Sequence, residues 1–151
     1  MTNGIDALLR FPGELARLRA DPDLIVSAIE EVLRFESSVQ LGNRKLTEDA
    51  EVGGVSMKKG AYVWLSIGAA NRDPAVFDEP DRFDIARRPN RHLAFGGGIH
   101  ACAGMSLGRM EARIALLGFV RRFPNIERAG EALHHARARF RGFVSYPAKA
   151  S

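Results

Sequence analysis

Cysteine is almost absent from this chain: among 151 residues, only position 102 carries a thiol. One cysteine excludes an internal disulfide framework and agrees with a reducing, cytoplasmic setting. A zinc site is excluded on the same ground, because Cys102 has no second thiolate and His134-His135 is a distant, unpatterned pair. No apolar run reaches membrane-spanning length and no signal-peptide pattern opens the sequence, so no membrane partner is expected. Repeats and low-complexity tracts are missing too. The formal charge of +4 and pI near 9.7 would admit nucleic acid on charge alone. However, no nucleic-acid motif or interleaving of aromatic and basic residues supports it. Arginines gather in the second half, at Arg109, Arg113, Arg121, Arg122, Arg128, Arg137, Arg139 and Arg141. An acidic protein partner or the anionic groups of a cofactor suit that distribution as well.

The length suits one domain over residues 1–151, able to bury about 70% of the surface its unfolded form exposes. Ile5–Arg10 reads as the last turns of a helix, stopped by Pro12, which then starts a second helix running to about Ala20. After Asp21-Pro22 a third helix follows, with Leu24, Ile25, Ala28, Ile29, Val32 and Leu33 as its buried stripe. The period then changes. Val39 and Leu41 begin an alternating stretch, Glu51–Met57 reads as a hairpin with a Gly-Gly turn, and Tyr62–Leu65 is a further short strand. Together these predict one small antiparallel sheet. A stretch rich in Pro, Asp and Arg runs from Gly68 to Asn90. A long helix is expected from about Met105 to Phe123, ended by Pro124, and one or two strands between Leu133 and Tyr146.

Just before that helix lies Phe95-Gly96-Gly97-Gly98-Ile99-His100-Ala101-Cys102-Ala103-Gly104. Leu107, Met110, Ile114 and Leu117 then recur at three- and four-residue steps. The lone cysteine is therefore presented by a glycine-rich loop at the mouth of a helix, where unpaired N–H groups and the helix dipole favour negative charge. Glycines leave the backbone open to close approach by a flat, bulky group. Gly96–Ala101 also satisfies G-x-G-x-x-A, but that dinucleotide fingerprint needs a preceding hydrophobic strand and an acidic residue about twenty positions on. Only Leu93-Ala94-Phe95 precedes it, so that reading is rejected. A free cysteine taken alone is most often a buried structural residue.

The spacing Phe-Gly-x-Gly-x-His-x-Cys-x-Gly resembles the haem-binding signature of cytochromes P450, the haem-thiolate monooxygenases. The resemblance implies that Cys102 is the proximal ligand to the iron of haem b (iron protoporphyrin IX). It implies that Phe95 packs near the sulfur, that Gly96 and Gly104 shape the loop, and that His100 faces a haem propionate. Arg44, beside the first strand, occupies a place where bacterial P450s aim an arginine at a propionate. Glu31 and Arg34, at i and i+3 on the third helix, match the family's Glu-x-x-Arg. Pro80-Asp81-Arg82-Phe83 matches the later motif, so Arg82 is the expected third member of a buried triad that fixes the cysteine loop. Burial of such charges is tolerable only when all are mutually paired. Asn71-Arg72-Asp73-Pro74 resembles the start of the ordered meander that precedes the loop.

The fold implied is α+β, mainly α: the C-terminal part of the P450 fold, with helices, a small antiparallel sheet, the meander and the ligand loop. Ala101 and Ala103 are smaller than the residues often seen beside the ligand. Ser106 stands where proline is frequent, and Phe11 where histidine is. The activity implied is oxidation of a small organic substrate, with electrons from a ferredoxin or reductase. Val39–Leu41 and the C-terminal turn are the segments implied to lie near that substrate. A face with Arg72, Arg109 and Arg113 is a candidate landing site for the electron donor. The resemblance also implies that the chain starts at the end of the oxygen-binding helix, beyond the acid–alcohol pair that delivers protons to dioxygen. Two further expectations follow: a truncated, non-catalytic haem-binding or interaction module, or one half of a P450 whose distal half lies on another chain.

Overall fold

The computed structural model describes residues 1–150. Its helical part comprises α1 (Thr2–Arg10), α2 (Pro12–Ala20), a 3-10 turn (Pro22–Leu24) and α3 (Ile25–Phe35). Pro12 at the head of α2 needs no amide partner and forces the break from α1. Asp21 caps the 3-10 turn by accepting from the Asp23 amide at 3.1 Å. α1 is a full nine-residue helix that starts ahead of the turns expected from sequence. Its Asn3 amide donates to the carbonyls of Glu36 and Arg141, both at 3.1 Å, so the chain's two ends meet at the close of α3.

The core lies among these helices, the meander and the last helix, α5. Ala7, Leu8, Leu15, Leu18, Ile25, Ala28, Ile29, Phe35, Phe83, Ile85, Leu116 and Val120 form one cluster. Phe11, Phe35 and Phe83 close on one another with ring centroids 5.2–5.5 Å apart, a favourable aromatic spacing. Ile85 and Phe83 anchor a segment with no regular secondary structure, which explains how so long a loop is ordered.

The strands do not form the single sheet expected. β1 (Leu41–Lys45) pairs with the later strand β4 (Tyr62–Ser66), with Arg44 opposite Val63. β2 (Ala50–Val52) and β3 (Val55–Met57) pair only with each other. The Gly53-Gly54 turn, both φ positive, closes this second hairpin tightly. It projects outward with Val52 and Val55 exposed, so it has no core face to register against the other pair. A four-residue helix, α4 (Ile67–Ala70), follows directly and was not anticipated from the sequence. α5 spans Met105–Arg122, close to expectation. The tail holds β5 (Glu127–Arg128) with β8 (Ala148–Lys149), and β6 (Leu133–His134) with β7 (Phe143–Ser145).

α5 buries one face only. Leu116 and Val120 enter the core, while Leu107, Met110 and Ile114 are 54, 53 and 69% exposed. The first three members of the apolar repeat visible in the sequence are thus an uncovered stripe, while the fourth, Leu117, packs against the core. Among the described residues, no helix is long and apolar enough to cross a membrane.

Candidate functional site

Residues 93–105 fold into a closed loop by backbone bonds alone. The Gly96 amide donates to Leu93 O at 2.8 Å, Ala101 N to Gly98 O at 3.1 Å, and Cys102 N to Phe95 O at 2.8 Å. Gly96 and Gly98 adopt φ of +70° and +59°, which L side chains rarely tolerate. A Cβ on Gly96 would also stand 3.2 Å from the His100 carbonyl. Met105 N then donates to Cys102 O at 3.2 Å, which starts α5. The Cys102 side chain is exposed, as are Gly96–Gly98 and His100.

The Phe95 ring packs against the first turns of α5. It contacts the space beside Gly108, where a Cβ would meet the ring at 3.7 Å, and Arg109 stacks over it at 4.8 Å from the centroid. Arg44 and Gly42 of β1, Leu65 and Ile67, Leu93, and the Gly96-Gly97 backbone line a cavity of about 330 Å³. The walls are mainly apolar, with one guanidinium among them. Ile99 beside it is 97% exposed.

The loop is held from beneath by two sets of charges. In the first, Arg34 meets Glu31 with both arms, Nε to Oε2 at 2.7 Å and Nη2 to Oε1 at 2.8 Å, with both side chains wholly buried. The remaining Arg34 donors reach the carbonyls of Asn71, Pro80 and Arg82 at 2.8–3.0 Å. Glu31 is completed by the Asp84 amide at 3.0 Å, Asn90 Nδ2 at 3.0 Å and Arg87 Nε at 3.2 Å. The third cation is therefore Arg87, not Arg82. A turn closed by Arg82 N on Glu79 O leaves the Arg82 carbonyl facing Arg34. The Arg82 guanidinium lies outside, paired with exposed Glu79 at 2.8 Å.

The second set was missed from the sequence. Glu30, next to Glu31 on α3, accepts from Arg109 Nε and Nη2 at 2.7 and 2.8 Å and pairs with His92 Nε2 at 3.1 Å. Burial works against ionisation of Glu30, but His92 and Arg109 outweigh it and hold the carboxyl at about 2. His92 precedes the cysteine loop and Arg109 follows it, so one carboxylate clamps both ends. Asn71 adds a third tie: its side chain donates to Ser37 Oγ and accepts from the Leu93 amide, both at 2.7 Å. The one sequence signal for this set was the spacing of His92 three residues ahead of Phe95.

The basic face expected from Arg72, Arg109 and Arg113 is not a free cationic surface. Arg72 pairs with Asp81 at 2.6 Å and stacks 3.5 Å from the Phe35 ring centroid. Arg109 belongs to Glu30, and Arg113 Nε is buried. Exposed Asp81, Glu30 and the rings of Phe35 and Phe95 thus engage Arg72 and Arg109.

The exposed thiol thus sits on a loop whose Gly96-Gly97 backbone lines a mainly apolar cavity with an arginine among its walls. A sequence profile of the cytochrome P450 family matches residues 19–147, and the chain belongs to that family. It is 47% identical over 129 residues to the biotin biosynthesis cytochrome P450 of Bacillus subtilis, an alignment covering 85% of this chain and 33% of that protein. It is 44% identical over 149 residues to a cytochrome P450 of Rhodopseudomonas palustris, CYP199A2, covering 96% of this chain and 36% of that one. Its fold superposes on P450BioI, crystallised in complex with an acyl carrier protein ligated to hexadec-9Z-enoic acid. There the TM-score is 0.96 at 44% identity, with 99% of this chain and 39% of that chain covered. The chain thus spans about a third of the length of the curated relatives it matches.

Proposed function

We propose that this chain is the haem-holding part of a P450 monooxygenase, with Cys102 as the iron's thiolate ligand and a small organic molecule as the substrate. The observation that carries this is Cys102, exposed on a glycine loop beside a mainly apolar cavity. The residues fit the group. Gly96 and Gly97 have no side chain to hold a flat ring away, Leu65, Ile67 and Leu93 offer apolar contact, and Arg44 offers a cation for a carboxylate edge. Exposed His100 is a second candidate for that edge. Among the described residues no group of three His, Cys, Asp or Glu side chains could hold a bare metal ion. Iron arriving in its own macrocycle needs only an axial ligand. When bound, haem with a cysteine thiolate supplies the electron density that favours O–O cleavage.

The work of the chain's own residues is positional. Backbone bonds fix the loop around Cys102 and set it at the head of α5. Glu30 and Glu31 tie the loop's approaches to α3, so the thiolate is presented without a mobile hinge. A ferredoxin or reductase remains the proposed electron source, though Arg72 and Arg109 are not free to receive it.

The test is haem reconstitution, followed by reduction under carbon monoxide. A strongly red-shifted Soret band is expected in the parent chain and its loss in Cys102→Ala. A band that persists unchanged in the variant assigns the wrong ligand.

A second reading is favoured by the uncovered stripe Leu107, Met110 and Ile114. An apolar face of this kind calls for a cover. We propose that the remaining portion of a P450, whether on this polypeptide or another, packs on α5 and closes the cavity.

A further inference from the structure

The segment between β6 and β7 carries an unusual charge pattern. From His134 to Arg141 it holds two histidines and three arginines, and no carboxylate. A groove of about 310 Å³ runs between this segment and Gln40, lined by His134, His135, Arg137, Phe140 and Arg141. Its frame is rigid: Gln40 N donates to Arg139 O at 2.9 Å, Arg141 N to Ser38 O at 2.8 Å, and His135 N to Gly142 O at 3.1 Å. Arg141 is neutralised by buried Glu36, at 2.9 Å. His134 is stacked on Phe143, centroids 4.3 Å apart. Among the described residues no acidic side chain lies within ion-pair distance of Arg137, and it and His135 turn cationic and donor groups to the groove. Phe140, 47% exposed, gives the groove an apolar side.

The groove does not stand apart from the cavity beside the cysteine loop. Gln40 lines one and Gly42 the other, on the same segment, roughly 7 Å apart along an extended backbone. A ligand with an anionic end and an apolar body could place its anion at Arg137 and lay its body along Phe140 toward Gly42, at the edge of the haem cavity. A planar guanidinium suits a carboxylate in particular, since it offers two parallel donors.

We propose that this groove is a carboxylate-binding site and that the organic molecule oxidised in the cavity beside the cysteine loop is an apolar carboxylic acid, anchored through Arg137. The assignment as a substrate anchor rests on the monooxygenase reading above; the binding of the anion does not.

The test titrates octanoate and 1-octanol into the chain, followed by backbone amide shifts. Octanoate should bind at least tenfold more tightly than octanol. The largest shifts should fall at Gln40, His135 and Gly142, and affinity should weaken as salt rises. Arg137→Gln should reduce octanoate affinity fivefold or more and leave octanol unchanged. Arg137→Lys should recover part of the loss, and Arg121→Gln on α5 should change nothing. Equal affinity for acid and alcohol overturns the proposal. So do shifts clustered elsewhere, an inert Arg137→Gln, or a groove that binds only an acidic protein and not octanoate. The readout needs no haem, so its failure leaves the carbon monoxide spectrum of the parent chain untouched. A failed spectrum with octanoate still bound would remove the oxidation and keep the anion site.

Discussion

Arg34 has all its guanidinium donors committed inside the protein, two to Glu31 and the rest to three carbonyls. Removing it leaves Glu31 charged and buried, with only Arg87 nearby. Breaking one partner out of a buried pair costs about 3–5 kcal/mol, so Arg34→Ala should fail to accumulate as soluble protein. Arg87→Ala should be milder, because Arg34 still holds Glu31, yet clearly destabilising. Arg82→Ala should fall within about 0.5 kcal/mol of the parent, as expected for an exposed pair. The soluble yield of Arg34→Ala and urea melts of the other two variants check the ranking, and an Arg82 effect larger than that of Arg87 would reverse the geometry. Glu30 gives a prediction in pH. Its folded value near 2 lies below the ordinary 4.5, so its ionised form adds stability above pH 4.5 and loses it as the pH falls toward about 2. The gap in urea stability between parent and Glu30→Gln should be about 1 kcal/mol at neutral pH after solvent screening, and should shrink as acid is added below pH 4.5. Glu31 and Arg34 were legible because i, i+3 spacing fixes a shared face. Arg87 was not, since the choice between it and Arg82 depends on which way one turn presents its carbonyl. Glu30 was hidden by being an ordinary helix glutamate whose partners lie 62 and 79 residues away.

Among the elements, the cysteine loop and α5 show why one reads well and the other only in part. The loop's glycines announce themselves because Gly96 and Gly98 need positive φ, a demand local to the chain. Gly98→Ala should cost about 1–2 kcal/mol, the penalty of the left-handed region for an L residue. Gly96→Ala should cost more, since its Cβ also presses on the His100 carbonyl. Urea denaturation of the two variants distinguishes them, and equal effects would mean that the contact relaxes freely. In α5 the period was evident but its direction was not. Leu107, Met110 and Ile114 carry the spacing of a core face, and the core instead takes Leu116 and Val120. Periodicity identifies a helix's apolar face without saying what covers it. The strands failed for a related reason. Turn chemistry marked the Gly53-Gly54 hairpin, but only pairing across the chain could join β1 to β4.

For the molecule as a whole, the exposed stripe of α5 and the length of its relatives bear on one question. Superposition on P450BioI at a TM-score of 0.96 leaves 61% of that chain without a counterpart here, taking 39% from the whole. The chain is therefore shaped like the matching portion of P450BioI, and among the described residues nothing covers its apolar stripe. If the remaining portion packs on α5, adding a polypeptide that corresponds to it should bring three changes together. The two should co-elute, Met110 should become protected from oxidation, haem retention should rise, and Ile114→Asp should reverse all three. Leu116→Ala is the contrasting case: it should lower stability by about 2–5 kcal/mol whether or not the second piece is present, because its side chain is already in the core. Co-elution with Met110 unprotected would move the junction away from α5. Ile114→Asp without effect on assembly would show that the stripe stays in water in the assembled protein too.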